Sequence, residues 1–118
     1  MIKPLSKRMI GIMSQGTYLV SWKELEEGDA GEPFEFHSSE QRSIQFCGTF
    51  GPDGAICLEG SHDGLSWVTL TDPQGNPISK MGPGIESVTE LAVFVRPRVK
   101  SGDTSTLLSA HLLVKESL

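Results

Sequence analysis

The side chains in this 118-residue chain that could carry chemistry are few, and their spacing limits what each could do. The histidines stand apart at His37, His62 and His111, and none lies at a metal-ligand spacing from Cys47 or Cys57. Cys47 has no local signature of a nucleophile. The sequence contains no G-x-S-x-G, no phosphate-binding loop and no H-E-x-x-H. Asp63, in Ser61-His62-Asp63-Gly64, could offer a carboxylate to Ca²⁺, but calcium needs several oxygens and this turn supplies one acid. The turn chemistry instead predicts that Asp63 bonds its own backbone while Gly64 takes a positive φ. Residues 24–40 carry Glu24, Glu26, Glu27, Asp29, Glu32, Glu35 and Glu40 with no Lys or Arg among them. Two of these could meet as a glycosidase-like carboxylate pair, yet such runs are ordinarily solvated faces. The expectation is a non-enzyme with no catalytic residue, no cofactor and no metal site.

Binding chemistry has two candidates. Trp22 and Trp67, with Tyr18, could form a stacking platform for sugars, which would make the chain a carbohydrate-binding module; the preferred reading puts these aromatics in a core. Arg96, Arg98 and Lys100 alternate with apolar residues and so form a basic stripe on one strand face. They are the expected partner-binding residues, meeting acidic groups across a subunit or partner contact, with the 24–40 region of a neighbouring copy as the first candidate. On this reading, replacing Arg96 and Arg98 together leaves the fold intact. The net charge of −5 argues against a nucleic-acid partner, because phosphate neutralisation needs a basic surface. No apolar stretch approaches the roughly 18 residues of a membrane span. Met9 to Met13, behind Lys3, Lys7 and Arg8, is too short for a signal peptide. Assembly in the cytoplasm is expected, with Cys47 and Cys57 as free thiols.

The elements that must position these residues are strands. Thirteen glycines and seven prolines favour many turns, and no segment offers an amphipathic helix over two full turns. Residues 1–16 read as a flexible N-terminal arm, and 17–118 as one domain. Strands are expected at 17–22, at Phe34 and Phe36, at 43–50, 55–60, 67–70, 91–99 and 106–115. Around Gly51-Pro52-Asp53-Gly54, the segments 43–50 and 55–60 read as a hairpin with Ile44, Phe46, Ile56 and Leu58 on its core face. That pairing puts Cys47 opposite or diagonal to Cys57. Leu91, Val93, Val95, Pro97 and Val99 share one phase of the next long strand, which Pro97 marks as an edge or a bulged strand. Leu108, Ala110, Leu112 and Val114 are the core phase of the last. Strands bounded so regularly by Gly and Pro turns predict an all-β fold: an antiparallel β-sandwich, jelly-roll-like, with an N-terminal arm.

Four stretches carry a resemblance: Cys47-Gly-Thr-Phe-Gly51, Leu58-Glu-Gly-Ser-His-Asp-Gly64, Trp67-Val-Thr-Leu-Thr-Asp-Pro-Gln-Gly75 and Val95-Arg-Pro-Arg-Val-Lys-Ser-Gly102. With Met13-Ser-Gln-Gly16 and Glu27-Gly-Asp-Ala-Gly-Glu-Pro33, they make residues 13–116 similar to small structural proteins of tailed bacteriophages, some of them like the cement or decoration proteins that coat capsids. The resemblance implies a virion protein of the phage head that binds the major capsid protein, as a dimer or trimer, without enzyme activity or cofactor. A tail or baseplate component is the alternative within the same class. It also implies that residues 1–12 are an extension.

Overall fold

The computed structural model describes residues 1–10, 16–35 and 40–116. Its strands are β1 (Ile2–Lys3), β2 (Leu5–Met9), β3 (Thr17–Leu25), β4 (Ala30–Gly31), β5 (Phe34–Glu35) and β6 (Glu40–Thr49). They continue as β7 (Ala55–Ser61), β8 (Val68–Thr69), β9 (Ser79–Lys80), β10 (Gly84–Ser87), β11 (Phe94–Ser101) and β12 (Leu107–Glu116). No helix occurs among the described residues. One sheet runs β10-β6-β12-β3-β2. The other runs β1-β4-β11-β7-β8, with β5 also on β11 and β9 also on β7. All pairs are antiparallel except β1 with β4. The fold is an all-β sandwich, as the turn-bounded strands predict.

Alternation explains the core. Tyr18, Val20 and Trp22 of β3, Ile44 and Phe46 of β6, and Leu108, Ala110, Leu112 and Val114 of β12 line the inner face of the five-stranded sheet. Ile56 and Leu58 of β7, with Val95 and Val99 of β11, face them from the other sheet. The stacked faces exclude water from one continuous apolar layer, the arrangement that period-two sequences favour.

The expected hairpin over 43–60 is not there. β6 pairs with β12 and β10, and β7 with β11, β8 and β9, so the turn at 50–54 carries the chain from one sheet across to the other. Alternation cannot distinguish the two cases: a hairpin and an arch both send Ile44, Phe46, Ile56 and Leu58 into the same core. The corner is tight, because a Cβ on Gly54 would run into the backbone of Phe50. The same correction separates the thiols. Cys47 lies opposite Ser109, whereas Cys57 lies opposite Arg98 and Ser79, and both are free.

The flexible arm is also corrected for the described part of 1–16. β1 pairs with β4, and β2 closes the edge of the five-stranded sheet against β3. Leu5 packs against the core, Lys7 lies over the Tyr18 ring at 4.2 Å, and the Lys3 ammonium is 3.7 Å from the buried Asp29 carboxylate. Two further readings shift. β11 begins at Phe94, so Leu91 and Val93 are outside the ladder and exposed, at 79% and 41%, while Ala92 is buried. Nor is β11 an edge strand: β7 flanks it on one side, β4 and β5 on the other. Pro97 is accommodated at the break between β5, which reaches Val95, and β4, which reaches Arg98. There its ring lies so close to Gly31 that a Cβ on Gly31 would sit 2.7 Å from Pro97 Cδ. A bulge does occur later in the strand, between Val99 and Ser101. The expected strand residue Phe36, and the residues Met13-Ser-Gln, lie outside the described residues.

Candidate interaction surface

The basic stripe lies on the outer face of the seven-stranded sheet, but its three members differ. Arg96 lies opposite Glu59 of β7, and its Nε donates to Glu59 Oε1 at 3.0 Å. Both side chains are nearly enclosed, at 15% and 11% exposure. The guanidinium also stacks under the Trp67 ring, 4.1 Å from its centroid. Arg96 is thus engaged within its own chain, charge-neutralised on one side and covered on the other. Arg98 and Lys100 are exposed and form no ion pair among the described residues. Below them the Cys57 thiol is pushed above its ordinary value by burial, which keeps it protonated and inert.

Loop 61–67 covers the other half of this face and is held by its own polar groups. Asp63 Oδ1 accepts from the backbone N–H of Leu65 at 2.8 Å, from that of Ser66 at 2.7 Å and from the Ser61 hydroxyl at 2.9 Å. Gly64 N–H donates to Ser61 Oγ at 2.9 Å. Gly64 has φ +75 and lies over the Phe94 ring, close enough that a Cβ would touch it at 3.6 Å. These donors hold the Asp63 carboxyl well below the usual carboxylate range. The turn is the self-bonded one that its residues predict. It presents Leu65 at its tip, 85% exposed.

The aromatic platform does not assemble. Trp22 is fully buried, with Nε1 donating to the Glu32 carbonyl at 2.9 Å; Tyr18 is buried edge-on to Phe34; and one face of Trp67 is taken by Arg96. The two described histidines lie at different sheets. His62 Nδ1 faces the Val93 N–H at 3.4 Å, His111 Nδ1 lies 2.8 Å from Ser21 Oγ on the outer face of the other sheet, and His37 is outside the described residues. Among the described residues, no three His, Cys, Asp or Glu side chains gather as a metal site would need. The acidic region is dispersed: Asp29 is buried, Glu35 is exposed beside Phe94, and Glu26 and Glu27 sit in the loop before β4. Sequence reasoning missed Glu59, whose pairing with Arg96 follows from the β7–β11 register alone.

The fold and this surface define a small β-sandwich domain with a charged outer sheet face. No family model matches the chain, and no curated protein matches it in sequence. Among solved structures the chain is similar to the SPBc2 prophage-derived protein YomS. The likeness has a TM-score of 0.59 at 15% identity, over 92% of this chain and 99% of that one.

Proposed function

We propose that this chain is a structural protein of a bacteriophage particle, a cement or decoration subunit that binds the major capsid protein and reinforces the head shell. It acts by binding, with no reaction and no cofactor. The observation that carries the reading is the likeness to a prophage-derived protein along nearly the whole of both chains. The resemblance of residues 13–116 to small phage structural proteins points the same way. A rigid sandwich with preorganised loops suits the task, since ordering costs met on folding need not be met again on binding. Weak contacts made at many lattice positions then add through avidity. The protein would be made in the host cytoplasm and carried on the phage head.

Quantitative mass spectrometry of purified particles tests this. The expected result is a copy number comparable to that of the major capsid protein. A few copies per particle would move the protein to the tail or baseplate, and its absence from particles would overturn the reading.

A further inference from the structure

We infer that the outer face of the seven-stranded sheet is a self-complementary surface on which a second copy of this chain docks, antiparallel, about a two-fold axis. The inference stands on this surface alone and holds whether or not the chain is carried in a virion.

The face is polarised along its strands. At the Phe94 end of β11 it carries carboxylates: Glu35 lies directly opposite Phe94 and is exposed, and Asp63 lies in the loop above. At the other end it carries Arg98 and Lys100, both exposed and both acting electrostatically on the Cys57 thiol beneath. Between them Glu59 and Arg96 cancel one another. Asp53, in the turn beside Ser101, forms no ion pair with either exposed cation among the described residues. From Phe94 to Lys100 is six steps along the strand, about 20 Å at ~3.3 Å per residue. That exceeds the screening length of roughly 8–10 Å at physiological salt, so the two ends of one copy do not satisfy each other.

The relief of the face matches its charge. Loop 61–67 adds a layer over Phe94 and Arg96, with Leu65 exposed at its tip, while Arg98 and Lys100 lie uncovered. One half is raised, acidic and apolar-tipped; the other is low and basic. A two-fold axis lying between two such faces, perpendicular to the strands, reverses strand direction. Each raised acidic half then meets the low basic half of the partner, and the contact is made twice. Any packing that aligns the strands in parallel would instead set acid on acid and base on base.

Sedimentation velocity on the full-length protein tests this. The wild type should show a concentration-dependent dimer at low salt whose dissociation constant rises at least about tenfold in ~1 M NaCl. Arg98→Glu with Lys100→Glu, and separately Glu35→Lys, should each abolish the dimer while keeping the thermal midpoint within a few degrees. Mixing the two variants should restore a heterodimer, because each then offers the half the other needs. A wild type that stays monomeric at low salt overturns the proposal. So does a dimer indifferent to salt, or one that survives both charge reversals. Should the double variant fail to fold, Glu35→Lys alone decides.

Discussion

At the residue scale, Arg96 and Arg98 look interchangeable in the sequence and are opposites in the fold. Arg96 sits at 15% exposure between Glu59 and Trp67, so removing it strands a nearly enclosed carboxylate and uncovers an indole. Arg96→Ala should therefore destabilise the domain by about 3 kcal/mol, the lower end of the range for breaking an enclosed pair. Arg98→Ala should stay within about 0.5 kcal/mol, as an exposed surface change does. Urea unfolding of the two variants checks this, and the expectation that both are dispensable for folding survives only if their midpoints agree. Titration gives a second test. Asp63, Glu90 and Asp103 are held below their ordinary values by local hydrogen bonds, chiefly from the backbone of Ser66 and Leu65, from Thr71 and from Ser105 respectively. His111 is held below 6.5, first by burial and then by Lys23 and Arg8. In all four cases the unfolded chain takes up the proton at a higher pH than the folded one, so each contribution is present above the unfolded value and lost as pH falls. Stability should drop in two steps on acidification, one below pH 6.5 from His111 and one below about pH 4.5 from the carboxylates. His111→Gln should remove the upper step from a plot of thermal midpoint against pH and leave the lower one.

At the scale of elements, the first ten residues are part of the sandwich. β2 covers the β3 edge of the five-stranded sheet and Leu5 joins the core, while β1 extends the opposite sheet beside β4. A strand edge left open here would expose the ladder groups of β3 to solvent and to other chains. Deleting residues 1–9 should lower the thermal midpoint by more than about 5 °C, because loss of one apolar contact, an ion pair and two strand pairings exceeds 1 kcal/mol in a domain of this size. A truncated chain that melts with the full-length protein would return the segment to the status of an arm. The 50–54 corner is the other element on which the architecture depends. It lets β6 and β7 belong to different sheets, and it needs a residue without a Cβ at Gly54.

For the molecule as a whole, the two sheets face solvent differently. The five-stranded sheet turns out His111 and Leu113, whereas the seven-stranded sheet turns out the polarised face of Glu35, Asp63, Arg98 and Lys100. A domain whose core is continuous across both sheets needs no metal to hold its shape. EDTA should accordingly leave the thermal midpoint unchanged, and a fall of more than a few degrees would reinstate the Asp63 turn or the acidic loop as a calcium site.

Period-two alternation and Gly/Pro punctuation determined that the chain is all-β, that Ile44, Phe46, Ile56, Leu58 and, in β12, Leu108, Ala110, Leu112 and Val114 are core, and that Asp63 closes its own turn. Each is local, because side-chain phase and turn chemistry are properties of a few consecutive residues. The basic stripe was legible for the same reason. Which strands lie side by side was not, because a hairpin and an arch bury the same residues and only long-range pairing separates them. Pairing set β7 against β11, and with it Glu59 against Arg96, which left Arg98 and Lys100 as the exposed cations of the face. It also drew the basic N-terminal segment into two sheets, where short edge strands gain ladder partners that their own sequence does not announce.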